Sequence, residues 1–213
     1  MRLPFTIDEF FGVFARYNES VWPMQVVLNA LAVTAIILVY RGRLAESRYI
    51  SAILSVFWAW MAIVYHLVFF KAINAAAWLF GVLFLIGAVS FLWSGGIKDR
   101  LRFRLNTGVR VWLGGLFMVF ALVVYPMLGH LLGHRYPAIP TFGTPCPTTI
   151  FTFGILFFAA EPIPKSVFVV PLSWAAVGSL AAFQLGVLQD VGLLATGLTV
   201  LVVSVIVPAC KCT

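Results

Sequence analysis

The sequence predicts an all-α protein, a polytopic bundle of transmembrane helices. Three observations predict it. Apolar residues make up 62% of the 213 positions and charged residues 10%, where a soluble domain carries roughly 25% charge. Mean hydropathy is +1.05. Several stretches approach or exceed the ~20 residues that cross a bilayer core, almost without charge. A water-soluble core does not absorb so many apolar groups without leaving large exposed patches. The length suits one integral membrane domain over residues 1–213, with no room for a separate soluble one.

The elements follow in order. Asp8, Glu9, Arg16 and Glu19 interrupt any apolar stretch of a cleaved signal peptide. Thr6 and Glu9 have the spacing of a capping box, and Phe10, Phe11 and Phe14 form a stripe with Phe5 nearby. This predicts a short helix, Ile7 to Tyr17, lying in the membrane interface. Seven spans follow, at about 21–40, 49–70, 74–93, 111–130, 148–162, 166–184 and 190–208. Trp22-Pro23 opens the first, with proline in the first turn and tryptophan at headgroup level, and Gly95-Gly96 closes the third. The fifth apolar piece, Thr148 to Ala160, is short. At about 1.5 Å per residue it covers about 20 Å of a ~30 Å core, so it either crosses or dips in and returns.

Lys and Arg set the orientation. With seven spans and the N-terminus outside, ten of the fourteen fall on the inner side; a re-entrant fifth segment makes the split eight to six. Seven spans with a cytoplasmic C-terminus fit the positive-inside rule better. The formal net charge of +7 is concentrated in a few short loops, which reads as membrane orientation and not as nucleic-acid binding. Within Lys98 to Arg110, basic Arg100, Arg102 and Arg104 alternate with apolar residues, while Ile97, Leu101, Leu105 and Val109 recur every fourth position. The second pattern predicts a helix on the inner leaflet, its arginines against anionic lipid. No internal repeat divides the chain into matching halves, so an inverted-repeat transporter is not predicted.

Polar groups within spans are costly, and their placement is the best functional clue. His66, His130, His134 and Cys146 all fall near the outer boundary, and Gln25 and Asn29 share a helix face there. The three histidines are a candidate metal or haem site, against the simpler reading of imidazoles hydrogen-bonded at the interface. Thr144-Pro145-Cys146-Pro147-Thr148-Thr149 makes a rigid approach to a helix start, with Thr148 and Thr149 able to satisfy free N–H groups. Glu161, beside two prolines, has Lys165 four residues on as a partner. Trp58 lies mid-span, where it lines a ligand cavity or simply packs the bundle. Ala175, Gly178, Ser179 and Ala182 predict close helix contact, inside the bundle or between copies of a homo-oligomer. The Cys210-Lys211-Cys212 tail reads as reduced thiols, since two sulfurs alone make an incomplete metal site.

Several stretches resemble a family of uncharacterised multi-pass bacterial membrane proteins, a domain of unknown function. They are Leu3-Pro4-Phe5-Thr6, Tyr17-Asn18, Val21-Trp22-Pro23, Tyr125-Pro126, Gly133-His134 and Tyr136-Pro137. The most distinctive is Pro145-Cys146-Pro147-Thr148-Thr149-Ile150-Phe151-Thr152-Phe153-Gly154. The resemblance implies a helical bundle of the cell inner membrane and brings no activity or catalytic residue with it.

No phosphate-binding glycine loop, His-Glu-x-x-His or Gly-x-Ser-x-Gly occurs, and the seventh span has no lysine for a retinal. A small permease or channel-like bundle is the leading expectation, with an outward pocket for a small solute or ion. Gln25, Asn29, Trp58, His66, His130, His134, Cys146, Thr148, Thr149 and Glu161 are its candidate residues. The alternatives are a non-catalytic membrane partner or sensor and an intramembrane metal- or haem-dependent enzyme.

Overall fold

The computed structural model describes residues 4–105 and 108–206. The Cys-Lys-Cys tail and the last positions of the predicted seventh span lie outside them. Among the described residues the protein is all-helical, its only β-type pairing being isolated bridges. Five helices are long and apolar enough to cross a membrane: α1 (Ile7–Arg41), α2 (Leu44–Ala72), α3 (Ala77–Ile97), α4 (Val109–Leu131) and α6 (Ser166–Leu185). Two apolar helices are shorter, α5 (Pro145–Leu156) and α7 (Leu188–Val203). Parts of α2, α3 and α4 widen into π-helical turns, including Met61–Phe69.

The predicted interfacial helix and first span are one continuous helix of 35 residues, about 52 Å long. Its capping box forms: the Thr6 N–H donates to the Glu9 carboxylate at 2.8 Å, and the Glu9 N–H donates to Thr6 Oγ1 at 3.2 Å. Pro23 therefore sits inside the helix and not at its start. The carbonyl it leaves unbonded is that of Glu19, an exposed residue, so the interruption costs little there. Burial of Val13, Phe14, Tyr17, Asn18 and Val21 holds the N-terminal half in line with the rest.

α5 is the centre of the molecule. Eleven of its twelve residues are buried, all but Cys146. Two hydroxyls on it satisfy polar groups of its surroundings: Thr148 Oγ1 accepts from the Gly143 N–H at 3.0 Å and Thr152 Oγ1 from the Trp58 indole at 3.2 Å. On another side α5 meets α4 backbone to backbone. A Cβ on Gly154 would come within 2.9 Å of the Gly114 carbonyl oxygen, and one on Gly114 within 2.8 Å of that of Gly154. The small residues of α6 are also used inside the bundle: Gly178 abuts Leu193 of α7, and Ala175 abuts Gly197.

The connections gather at two ends. At one, the segment after α3 is extended, where the sequence spacing predicts a helix. Leu101 and Phe103 point inward at 0% and 1% exposure, while Arg100, Arg102 and Arg104 are exposed. The two-residue alternation wins because the backbone finds partners across the chain: Ala160 N–H donates to the Arg102 carbonyl (2.7 Å) and Arg104 N–H to that of Phe158 (3.0 Å). Ser47 Oγ caps the Phe103 N–H at 2.9 Å. At the opposite end, Phe5 and Phe10 of the N-terminal region pack on Phe70, and Phe11 stacks on His134. There Asn18 donates to the carbonyls of Pro137 (2.6 Å) and Ile139 (2.7 Å), pinning the loop that leads into α5.

The outer faces are apolar. Val26, Val33 and Ile37 on α1, Leu79, Val82, Ile86 and Val89 on α3, and Leu116, Val119 and Val123 on α4 are all exposed. The α4–α5 crossing has a direct test. Gly154→Val is expected to lower thermal stability in detergent by at least about 1–3 kcal/mol, because backbone on the other helix cannot yield. Gly12→Ala, where a Cβ meets only Arg16 at 3.5 Å, is expected to leave it unchanged or slightly raised. Equal melting temperatures for the two variants would contradict the close crossing.

Candidate functional site

The end that carries Phe5, Phe70 and His134 holds a cavity of about 460 Å³. All seven helices contribute to its wall. Phe10 and Phe14 come from α1, Tyr65 and Phe70 from α2, Phe80 from α3, Tyr125 from α4, Cys146 from α5, Trp174 from α6 and Asp190 from α7. The rim residues Ala76, Leu180 and Gln184 are exposed, so the cavity communicates with the surroundings.

Asp190 is its polar centre. α6 ends at Gly186, whose φ of 71° is a left-handed conformation suited to glycine. A short turn, Leu188–Asp190, then places the carboxylate at the inner wall, 5% exposed. The Tyr125 hydroxyl donates to Asp190 Oδ1 at 2.5 Å. Tyr65 and Cys146 line the same cavity. The buried Trp174 indole N–H, also on the wall, has no hydrogen-bond partner among the described residues. Among the described residues no Lys, Arg or His lines the cavity, and Asp190 is its one acidic residue.

Of the ten pocket candidates from the sequence, Cys146 lines this cavity. Gln25 instead braces the Asn18 clamp, donating to Asn18 Oδ1 at 2.6 Å and Thr141 Oγ1 at 3.2 Å. Asn29 is exposed and bonds back to the Gln25 carbonyl at 2.8 Å. Trp58 is fully buried and packs on Phe84 and Phe91 in the bundle core. Thr148 and Thr149 are sealed within α5, and the Thr149 hydroxyl has no partner. Glu161 is at the other end, paired with Arg110 at 2.9 Å and not with Lys165. Arg102 pairs with Asp99 at 2.6 Å.

The three histidines are not brought together. His66 is wholly buried among the rings of Tyr65, Phe70, Phe80, Phe84 and Trp174, with neither nitrogen bonded. His130 is exposed, and His134 stacks on Phe11 at 4.2 Å. Among the described residues no group of three or more His, Cys, Asp or Glu is arranged to hold a metal. Shared depth along the helices brought these imidazoles to one end; the helix rotations that separate them are not readable from depth.

Asp190, Tyr125, Tyr65 and Trp174 were not among the sequence candidates. Asp190 did leave a signal: it is an acid at the head of an apolar segment with no Lys or Arg between Lys165 and Lys211.

Fold and cavity together define an all-helical protein with several helices apolar enough to cross a membrane, built around a ligand-sized chamber. The chain matches the model of a family of unknown function, DUF6064, over residues 7–210, and it belongs to that family. Membership bears out the resemblance to an uncharacterised domain family. No curated protein and no solved structure matches it.

Removing the Tyr125 hydroxyl leaves Asp190 without its donor. Tyr125→Phe is expected to cost about 1–3 kcal/mol in detergent unfolding, and Tyr49→Phe, at an exposed position, close to nothing. The double variant with Asp190→Asn should fall short of the sum of the single effects; strict additivity would mean the two groups do not interact. A second outcome concerns His134, whose pKa burial holds below the ordinary histidine value of 6.5. A depressed histidine favours the folded state above that value, and the contribution is lost as pH falls through the folded-state pKa. The melting temperature of wild type relative to His134→Phe should therefore drop between pH 8 and pH 5, and a flat difference would refute the coupling.

Proposed function

We propose that this protein crosses a cell inner membrane seven times, with its N-terminus outside and its C-terminus in the cytoplasm, and that the cavity is the outward-facing binding pocket of a small permease. The observation that carries the reading is the chamber of about 460 Å³ built around a buried carboxylate. Pockets of roughly 300–1,000 Å³ with a few convergent polar groups are where small molecules bind. An ionisable side chain at membrane depth is expensive and is retained where it meets a ligand or an ion.

The placement in the bilayer draws on three features. The described loops and helix ends opposite the cavity carry Arg41, Arg43, Arg48, Lys98, Arg100, Arg102, Arg104 and Lys165, the pattern of an inner face. Exposed Trp22 and Trp78 lie toward the cavity end and exposed Trp93 and Trp112 toward the basic end, as two headgroup belts do. α5 connects the loop around Gly143 at the cavity end to Phe158 and Ala159 at the basic end. That favours a full crossing over a dip and return. At about 18 Å the helix is shorter than the bilayer core, and it is tolerated because protein and not lipid surrounds it. The basic end is read as a bilayer-surface anchor on anionic lipid.

Topology is tested with single cysteines in a Cys146→Ser background lacking the tail thiols, labelled by a membrane-impermeant maleimide. A cysteine at position 134 should react in intact cells and one at position 43 only after permeabilisation; the reverse pattern refutes the orientation. For transport, proteoliposomes are assayed with a panel of small labelled solutes and monovalent ions. At least one should move faster than through protein-free vesicles, and Asp190→Asn should abolish the excess. Folded protein that moves none of the panel would rule the permease out.

A further inference from the structure

We propose that the occupant of this cavity is an organic cation, a compact cationic head on an apolar body, with Asp190 as its counter-ion. The inference rests on the cavity being a ligand pocket, and names what it takes.

Charge balance is the first support. Among the described residues the wall holds one carboxylate and no basic side chain. A carboxylate taken out of water needs a proton or a cation beside it. Tyr125 supplies one hydrogen bond to Oδ1, which orients the group without neutralising it. In the absence of a ligand a proton can meet that need, and a cationic ligand takes its place.

The wall chooses the kind of cation. Small inorganic cations take about six oxygen ligands in place of their hydration shell. Of the side-chain oxygens among the described wall residues, Tyr125 Oη bonds Asp190, Thr144 Oγ1 the Thr141 carbonyl at 2.7 Å, and Asn74 Oδ1 the Ala76 N–H at 2.9 Å, which leaves those of Tyr65, Gln184 and Asp190, fewer than six. The rest of the wall is largely aromatic, with Tyr65, Phe70, Phe80 and Trp174 around one chamber. Rings attract a weakly hydrated cation through their negative faces, most strongly where water is excluded. They also cover an apolar body. The volume of about 460 Å³ is that of a small organic molecule and far larger than a bare ion.

The experiment uses the full-length protein in lipid nanodiscs and calorimetric titration with four probes. Two are organic cations, benzyltrimethylammonium and tetraphenylphosphonium. The third is neopentylbenzene, the uncharged isostere of the first, and the fourth is sodium. At least one organic cation should bind. Asp190→Asn should weaken it by about tenfold or more, as loss of a buried charge partner does. Val177→Lys, which brings a positive charge to the exposed part of the wall, should weaken it comparably, and this variant serves if Asp190→Asn does not fold. Neopentylbenzene should bind at least about tenfold more weakly than benzyltrimethylammonium. If neopentylbenzene binds equally well, or both folded variants keep full cation affinity, the organic-cation assignment is overturned while the pocket itself stands. Sodium binding that excludes both organic cations overturns it in favour of an ion site. No heat with any probe overturns the assignment, and the transport assay above then decides the fate of the pocket separately.

Discussion

A helix sealed on every side must find all its polar partners inside the protein, and α5 imposes that condition on everything around it. Backbone groups at its ends bond the flanking residues Thr144, Phe157, Phe158 and Ala159. The hydroxyls of Thr148 and Thr152 and the approach to the helix each meet a particular neighbour: Thr148 meets the Gly143 N–H, Thr152 the Trp58 indole, and the incoming loop Asn18. Where no side chain fits, glycine removes one, and α4 and α5 meet at Gly114 and Gly154. Breaking one of these contacts leaves a buried group unpaired or forces two backbones together.

The two ends of the molecule answer different needs. At the basic end the chain is joined by backbone hydrogen bonds between residues 102–104 and 158–160, with the Arg110–Glu161 pair beside them. Main-chain pairing holds that end rigidly and leaves its arginines outward. At the other end the contacts are mainly between rings, from Phe5 and Phe10 through Phe70 to Trp174. Rings set edge to face around a space leave a chamber, and the turn after Gly186 delivers Asp190 into it. His66 fills the layer behind, wholly buried among rings and bonded to none of its neighbours through nitrogen.

Much of this was legible from particular residues. Thr6 and Glu9 announced the helix start, and the capping box is present. The short apolar piece before Glu161 read as too brief for a bilayer, and α5 is a twelve-residue helix. The Pro-Cys-Pro approach placed Cys146 at a helix start, and it faces the cavity. The basic segment carried two periodicities at once. Spacing by fours and spacing by twos are both consistent with Leu101, and only a backbone partner at residues 158–160 decides between them.

The apolar stretches, their lengths and the grouping of charge follow from the sequence alone, because hydropathy and helix rise are local properties of the chain. Which polar residue meets which was decided only in three dimensions. Asn29 and His130 are exposed, while Asp190 is buried and accepts from Tyr125, 65 residues away. That choice is made by the rotation of each helix about its axis, and rotation is set by packing against neighbours distant in the chain.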